Sequence, residues 1–164
     1  MRHDLELSIL EILFNDARTT PHQIAVMTGH SEPEVTAVIR SLEAQKIICR
    51  YSALIDWDRV KTDQFEALIE VRVTPQREQG FDAIAEQIYR FDEVNSVYLM
   101  SGAYDLMVTV RADSLKSLAL FVAEKLSTLE NVLSTATHFV LKKYKFEGVI
   151  FNEHKTDERL VVSP

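Results

Sequence analysis

The stretch from Val97 to Val110, reading Val-Tyr-Leu-Met-Ser-Gly-Ala-Tyr-Asp-Leu-Met-Val-Thr-Val, consists of two apolar runs joined by a connector at residues 101–105. The runs are rich in β-branched and aromatic residues, and Gly102 supplies the backbone freedom of a tight connection, so the pattern predicts a β-hairpin. Both faces of each run are apolar, whereas a strand buried on one face alternates apolar with polar residues. We therefore expect the hairpin to lie mid-sheet, with helices of its own chain on one face and a partner on the other.

Composition limits the class of protein. The chain has 164 residues, 46% of them hydrophobic, which allows one medium-sized core or two small ones. A formal net charge of −7 argues against a strongly basic nucleic-acid-binding protein and against a membrane-surface binder. No apolar run approaches the roughly 20 residues of a membrane span, and the N-terminal sequence does not have the pattern of a signal peptide, so we expect a cytoplasmic protein without membrane partners.

Few residues suggest chemistry of their own. The single cysteine, Cys49, excludes an intrachain disulfide, and its position after two isoleucines favours a place in the core over a reactive nucleophile. The five histidines lack the spacing of metal ligands, and there is no glycine-rich phosphate loop. We therefore expect no enzyme, no metal and no other cofactor.

Apolar residues at helical spacing predict three helices within the first 45 residues. The first ends near Asn15. The helices carry Leu5, Ile9, Ile12 and Leu13, then Ile24, Ala25 and Met27, then Val35, Val38, Ile39 and Leu42. Thr20 with Gln23, and Ser31 with Glu34, have the spacing of capping boxes, in which the cap hydroxyl and the third residue satisfy free backbone groups at a helix start.

A Gly29-His30 turn separates the second and third helices, and this arrangement predicts a helix-turn-helix unit whose second helix enters the DNA major groove. The outward face of that helix comprises Thr36, Ala37, Arg40, Ser41 and Ala44. A groove-reading helix ordinarily presents several Arg, Lys, Asn or Gln side chains, whereas this one presents Arg40, with Gln45 near its end. Two functions therefore stay open, protein contacts and DNA binding, to which Thr20, Ser31 and Arg50 would also contribute.

The charge of this unit also bears on DNA binding. Residues 1–55 contain five basic and seven acidic residues, so each subunit neutralises few phosphates. If DNA is bound, several weakly binding units on one oligomer would have to act together.

A polar, charged stretch, residues 56–65, is predicted as the hinge between a helix-turn-helix domain, residues 1–55, and a second domain, residues 66–148. Just before it, Ile47–Ile55 has the pattern of an extended segment. In the tail, residues 149–164, the run Leu160-Val161-Val162 is compatible with a short strand or with disorder.

The second domain has the predicted order β-α-β-β-α-β, which indicates a ferredoxin-like fold with two helices on one face of a four-stranded antiparallel sheet. The first strand, Ala67–Val73, ends at Thr74-Pro75, and the last strand is predicted over Val132–Tyr144, with Thr135, Thr137, Phe139 and Leu141 on one face. The inward residues of the helices are predicted as Phe81, Ile84, Ala85, Ile88 and Phe91, and as Leu115, Leu118, Ala119, Val122 and Leu126. The fold class is thus α+β, a winged-helix-like helix-turn-helix domain followed by a ferredoxin-like βαββαβ domain.

The face of the sheet opposite the helices would stand bare in a monomer. It is predicted to carry some of Tyr98, Met100, Met107, His138 and Val140. A bare apolar sheet of this size predicts dimerisation sheet against sheet.

A helix-turn-helix, a linker strand and a βαββαβ domain with a Ser-Gly-x-Tyr-Asp hairpin, in this order and spacing, resemble the Lrp/AsnC family, the feast/famine regulators of bacteria and archaea. The resemblance extends from Asp4 to about Phe151. It implies an N-terminal unit that binds double-stranded DNA and a C-terminal domain that dimerises through its sheets. It further implies dimers that assemble into tetramers, octamers or hexadecamers, and a small effector, often an amino acid, in a cleft between dimers.

The resemblance places an effector cleft at the hairpin connector and at the last strand. Its residues are then Ser101, Gly102, Tyr104 and Asp105 from the connector, with Thr135, Thr137 and His138 from the last strand. Asp105 would accept hydrogen bonds from the ammonium group of an amino acid, and amides beside Gly102 would donate to its carboxylate. Equally, Gly102 and Asp105 are residue types that build turns without any ligand.

Two positions depart from the family pattern. Ala37 and Val38 stand where the family's recognition helix usually carries arginine or lysine, which weakens the case for tight DNA binding. Lys46 stands where a glycine commonly closes the helix, so either the helix ends differently or Lys46 adopts a left-handed conformation.

The leading hypothesis for the function is an effector-responsive transcription regulator. The alternative is an amino-acid-sensing oligomer whose degenerate helix-turn-helix acts through protein partners.

Overall fold

Three helices form the N-terminal part of the chain in a computed structural model that describes residues 2–60, 64–75 and 80–151. Helix α1 spans Arg2–Asn15, α2 spans Pro21–Thr28 and α3 spans Glu32–Ala44. Their apolar faces meet in one core, made of Leu5, Ile9, Ile24, Ala25, Val35, Val38 and Leu42. The prediction of three helices is confirmed, although Met27 on α2 is exposed.

The two predicted capping boxes have different outcomes. At the start of α2, the Gln23 N–H donates to Thr20 Oγ1 at 3.3 Å, and the Thr20 N–H donates to Gln23 Oε1 at 2.9 Å, so this box is confirmed. At the start of α3, the prediction is wrong, because the Ser31 side chain makes no capping hydrogen bond with any described residue. Acidic residues in the first turn of α3 favour the helix dipole instead.

The end of α3 is closed by a lysine in a left-handed conformation. Lys46 has a φ of 59°, which is one of the two alternatives that its sequence position leaves open. The turn lets the N–H groups of Ile47 and Ile48 donate to the Leu42 carbonyl at 3.0 and 3.2 Å. Cys49 is exposed, and its thiol donates to the Lys46 carbonyl at 3.0 Å, so the expected place in the core is wrong.

The segment after α3 belongs to the N-terminal unit, since the chain divides into two compact units between Ile55 and Asp56. Residues 51–56 form no regular helix or strand. Tyr51 lies against α3 and donates from its hydroxyl to Glu43 Oε1 at 2.9 Å. A short 3-10 turn at Trp57–Arg59 begins the second unit.

The second unit is a four-stranded antiparallel sheet with helices on one face. Its strands are β1 (Phe65–Val73), β2 (Val94–Leu99), β3 (Leu106–Ala112) and β4 (Val132–Phe139), arranged in the order β2-β3-β1-β4. Helix α4 (Asp82–Tyr89) follows β1, and α5 (Leu115–Leu120) follows β3. The predicted α+β class and βαββαβ order are confirmed.

Alternate residues of β1 and β3 form the core beneath the helices. The strand residues of this core are Ala67, Ile69, Val71, Val73, Leu106, Val108 and Val110. Ile84 and Ile88 of α4 are buried against them as predicted. The ring of Phe91, which follows α4, meets that of Phe121 edge to face, with centroids 5.6 Å apart.

The second helix of this layer departs from the predicted pattern. Leu118 and Leu126 are buried as expected, but Leu115 and Ala119 are exposed, and Phe121 is buried in their place. Leu115 is the first residue of α5, and Phe121 lies three residues after Leu118, so regular helical spacing places Phe121 rather than Ala119 on the inward face with Leu118. After Leu120 the helix continues as a π-helix over Phe121–Leu126.

The hairpin lies at one side of the sheet rather than mid-sheet. Of the two hairpin strands, β3 lies between β2 and β1, whereas β2 pairs with β3 alone and forms an edge of the sheet. Accordingly Tyr98 and Leu99 of β2 are exposed, whereas Leu106, Val108 and Val110 of β3 are buried.

The last strand is shorter than predicted. β4 ends at Phe139, and Leu141 is almost fully exposed. The chain then forms a small hairpin of β5 (Lys145–Phe146) and β6 (Val149–Ile150). The expected strand at residues 160–162 lies outside the described residues. Across the described ranges, no helix combines the length and the apolar character needed to cross a membrane.

Candidate functional site

The outward face of α3 forms a shallow concavity. Pro33, Thr36, Ala37 and Arg40 recur at helical spacing on the side away from the buried Val35, Val38 and Leu42. Together with Glu32 they line the concavity. The structure therefore brings together three of the residues predicted to bind DNA, namely Thr36, Ala37 and Arg40.

The polar side chains near this face differ in whether they are already hydrogen-bonded within the protein. The Arg40 guanidinium is exposed and has no hydrogen-bond or ion-pair partner within the described part of the chain. Gln45, by contrast, is folded back on the helix, since its Nε2 donates to the Ser41 carbonyl at 3.1 Å and to Ser41 Oγ at 2.9 Å. Arg40 is thus the basic group that α3 presents outward.

The remaining residues predicted to bind DNA lie around this face. Thr20 and Ser31 occupy the N-cap positions of α2 and α3, and both are exposed. Arg50 is exposed in the irregular segment after α3. A side-chain contact that no sequence pattern predicts joins the starts of α2 and α3, where His22 Nδ1 lies 3.1 Å from Glu32 Oε2.

The connector between β2 and β3 is a tight turn. Gly102 has a φ of 144°, which an L-side chain rarely adopts, and Ser101 and Gly102 are exposed. The Met100 N–H donates to the Asp105 carbonyl at 2.8 Å, which closes the turn. Tyr104 and Asp105 are half-buried behind it.

Asp105 joins this turn to the end of β1. Its backbone N–H donates to the Val71 carbonyl at 3.1 Å, and its Oδ2 accepts from the Val73 N–H at 2.9 Å. The pairing of β1 with β4 shifts register between Arg72 and Val73, so Val73 lies at a β-bulge or similar irregularity. The carboxylate therefore has a structural role that the sequence did not reveal.

The predicted effector residues of β4 lie on both faces of the sheet. Thr135 and Thr137 pair with Val71 and Ile69, whose side chains face the helices. His138 pairs with Leu68 on the open face, opposite the helices, where its Nε2 lies 3.3 Å from Glu70 Oε1. Because β1 separates β4 from the hairpin, these residues and the turn do not form one pocket within a single described chain.

The open face is apolar at one side and charged at the other. Tyr98 and Met107 are cross-strand partners on the hairpin. Glu66 of β1 lies between two cations, with its Oε2 at 3.4 Å from Arg111 Nε and at 2.6 Å from Lys143 Nζ. Charged side chains therefore share this face with the predicted apolar ones, as the alternating charged residues of β1, Glu66, Glu70 and Arg72, indicate in the sequence.

The other residues assigned to the dimer interface border this face. Met100 follows β2 and is exposed, whereas Met107 is half-buried. Val140 follows β4, and its N–H donates to the Glu66 carbonyl at 2.9 Å. Val140 also lines a small cleft with Trp57, Glu66 and Lys143.

Two titratable groups are shifted by their surroundings. Burial, followed by the hydrogen bond to Glu43 and its charge, raises the pKa of Tyr51 above 10.0. The hydrogen bond from Lys125 lowers the pKa of Glu93 below 4.5, against the opposing effect of burial. Each of these groups is paired with one neighbouring side chain, Tyr51 with Glu43 and Glu93 with Lys125. The described residues contain no cluster of three or more potential metal ligands.

Comparison with known proteins assigns both units. Residues 66–150 match the family model of the Lrp/AsnC ligand binding domain, and residues 2–48 match that of the winged helix-turn-helix DNA-binding domain. The uncharacterized HTH-type transcriptional regulator YugG of Bacillus subtilis is 52% identical over 160 residues, which cover 97% of this chain and 96% of YugG.

Two solved structures share the fold. The transcriptional regulator NMB0573 of Neisseria meningitidis, solved in complex with L-Met, has 22% identity and a TM-score of 0.69, over 87% of this chain and 91% of that one. AsnC of E. coli has 22% identity and a TM-score of 0.68, over 87% of this chain and 94% of that one.

Proposed function

The chain belongs to the Lrp/AsnC family of transcriptional regulators, and from this membership we propose that it is an oligomer which binds double-stranded DNA and responds to an amino acid. The observation that carries the proposal is the presence of both modules in one chain, a winged helix-turn-helix over residues 2–48 and an Lrp/AsnC ligand binding domain over residues 66–150. Such a regulator acts in the cytoplasm, on the DNA that it binds.

For DNA binding, the support comes from the outward face of α3. Arg40 is exposed and without a partner in the described residues, and it lies on the helix that enters the major groove in helix-turn-helix proteins. Thr20, Ser31, Ser41 and Arg50 are in our proposal the phosphate or base contacts around it. Because residues 1–55 carry more acidic than basic side chains, we expect each unit to bind weakly and the oligomer to bind by avidity.

For assembly, the support comes from the open face of the sheet. Tyr98 is 53% exposed beside Met107. Covering this apolar side of the face with a second sheet would remove apolar surface from water and so stabilise a dimer. We propose that Tyr98, Met100, Met107 and Val140 contact the second subunit of a homodimer. We propose that dimers then assemble into tetramers, octamers or higher oligomers.

For the effector, the support comes from the turn at residues 101–105 and from a relative. The NMB0573 structure contains L-Met on the same fold. In this chain, Ser101, Gly102 and Tyr104 lie at a turn with Asp105, and a carboxylate there suits the ammonium group of an amino acid. Thr135 and Thr137 lie on one face of β4 and His138 on the other, so we propose that only one of these two sets reaches the effector, from a neighbouring subunit.

The experiment that tests this function combines DNA retardation with a ligand screen. We expect a gel-retarded genomic fragment whose binding weakens steeply with salt, and a raised melting temperature with one or a few of the twenty amino acids. Light scattering should show that the same amino acid changes the mass of the oligomer. Failure to retard any genomic fragment at low salt would remove DNA binding from the proposal.

A second function is supported by exposed apolar side chains on the N-terminal unit. Phe14, Val26 and Met27 are 83%, 72% and 65% exposed on α1 and α2. Such side chains suit contacts with another protein, which would make the chain an amino-acid-sensing oligomer with a degenerate helix-turn-helix. This function predicts a ligand-dependent mass change without DNA binding, so the same experiment separates the two.

A further inference from the structure

We propose that Ala37, with the methyl group of Thr36 and the ring of Pro33 beside it, contacts the C5-methyl group of a thymine, and that Arg40 pairs with a guanine next to it. The proposed DNA binding is a premise here, and the new element is the pair of bases that α3 reads. Ala37 and Arg40 are then the residues that determine the specificity of this chain for its operator.

The side chains available on α3 determine this readout. Base pairs are distinguished in the major groove by hydrogen-bond donors and acceptors and by the methyl group of thymine. Gln45 has folded its amide nitrogen onto Ser41, so it no longer offers a free amide to an adenine. Arg40 is left as the long donor of the outward face, and arginine pairs most often with the O6 and N7 atoms of guanine.

The shape of the face fits a methyl group. Pro33, Thr36 and Ala37 line the concavity with short, largely apolar side chains, between Glu32 at one side and Arg40 at the other. The Glu32 carboxylate repels phosphate, which favours a base edge over the DNA backbone at this place. These short apolar side chains can contact the thymine C5-methyl group, which is the apolar group that a base pair presents in the major groove.

The spacing along the helix sets the spacing of the two bases. Ala37 and Arg40 are three residues apart on one face, so their Cβ atoms lie about 5–6 Å apart. Base pairs are stacked about 3.4 Å apart. We therefore expect the thymine and the guanine within two base pairs of each other in each half-site.

The first test selects operators from random duplexes and then alters single atoms of the selected site. Uracil in place of the thymine removes only the methyl group, and we expect binding about fourfold weaker for each contacted methyl. A selected site without a guanine near a thymine, or unchanged binding of the uracil duplex, would overturn the inference.

Matched glycine variants identify the residue that contacts the methyl group. In Ala37→Gly only the neighbouring Thr36 and Pro33 groups are left near the methyl group, so the difference between the uracil and thymine duplexes should fall well below fourfold. Ala44→Gly lowers helix propensity by the same substitution on the same face, outside the concavity, and should keep the fourfold difference. Because each comparison is made within one variant, a general loss of stability cancels. An undiminished fourfold difference in Ala37→Gly would show that Ala37 is not the contact.

The same design tests Arg40 with 7-deazaguanine, which lacks the N7 acceptor. Wild-type protein should bind this duplex at least about fivefold more weakly than the guanine duplex, which is the effect of losing one base contact. Arg40→Ala should bind the two duplexes equally. Equal binding by the wild type overturns the arginine–guanine pair. If no duplex is retarded at low salt, DNA binding itself fails, whereas a bound duplex that ignores both base changes overturns only the readout.

Discussion

The Oδ2 atom of Asp105 accepts a hydrogen bond of 2.9 Å from the backbone N–H of Val73. Val73 is the last residue of β1, at a point where the strand pairing shifts register. The bond therefore ties the end of a central strand to the turn between β2 and β3. A carboxylate has two oxygens, so one side chain can hold the sheet and still offer charge to a ligand.

Two substitutions at Asp105 separate these roles. Asp105→Ala leaves the half-buried Val73 N–H without its acceptor and should lower the free energy of unfolding by about 1–2 kcal/mol. Asp105→Asn keeps an oxygen acceptor but removes the charge, so it should unfold near the wild-type midpoint while losing the thermal shift caused by the amino-acid effector. Urea denaturation and a melting-temperature screen measure the two effects. An undiminished effector shift in Asp105→Asn would leave the carboxylate with its structural role alone.

Lys46→Gly should stabilise the N-terminal unit. Lys46 has a φ of 59°, a conformation that glycine adopts without the strain of a Cβ atom. We expect the free energy of unfolding to rise by about 0.5–1 kcal/mol, measured by urea denaturation. The neighbouring Gln45 has a φ of −79°, so Gln45→Gly should instead destabilise the protein. Destabilisation by both glycines would mean that no strain is relieved at Lys46.

Met107→Lys should prevent dimerisation. The substitution places a charge beside Tyr98 on the apolar side of the open face, where a second sheet would have to desolvate it. Sedimentation should then show a monomer at concentrations where the wild type is a dimer. Leu115→Lys adds the same charge at an exposed position of α5 and should leave the dimer intact. A Met107→Lys dimer of wild-type strength would place the interface elsewhere.

The pair of Glu93 and Lys125 predicts a small loss of stability in acid. Because the hydrogen bond from Lys125 lowers the pKa of Glu93 below 4.5, this contribution is present above pH 4.5 and disappears as the pH falls through the lowered pKa. The side chains are 29% and 47% exposed, so we expect less than about 1 kcal/mol. Glu93→Gln should therefore be less stable than the wild type at pH 7 and equal to it at pH 2.

Urea denaturation at the two pH values measures this difference, and Glu130→Gln, at an exposed site, serves as the control. The control should match the wild type at pH 7. A Glu93→Gln deficit that is the same at both pH values would assign the effect to packing rather than to the ion pair.

Glu34→Gln should strengthen DNA binding. Glu34 lies in the first turn of the proposed reading helix, where a carboxylate repels phosphates several ångströms away. We expect affinity to rise about two- to threefold at low salt and the difference to shrink as salt screens the charge. Gel retardation over a salt series measures it. Glu11→Gln removes a charge from the exposed side of α1 and should change affinity less.

Local pattern was sufficient for most of the fold. Helical spacing identified the buried face of α3 at Val35, Val38 and Leu42, and alternation identified β1 with its proline stop. The sequence also predicted the capping box at Thr20 and allowed for the left-handed conformation of Lys46 at the end of α3, because both depend on residues within a few positions of each other. A prediction failed in α5, where Phe121 rather than Ala119 is buried on the same face as Leu118.

The candidate sites were predictable in part. Thr36, Ala37 and Arg40 are brought to one concavity because a single helix carries them. The family resemblance groups the effector residues of β4 as one set, but adjacent positions of a strand point to opposite faces, and Thr137 and His138 are divided accordingly.

By itself the sequence determined the order of the main helices and strands and the buried faces of α3, α4 and β1, because periodicity is a property of neighbouring residues. The tertiary structure alone decided that β2 is an edge strand, that Glu66 lies between Arg111 and Lys143, and that Asp105 holds the end of β1. These features join residues 32 to 77 positions apart, and no local pattern records which distant strands pair.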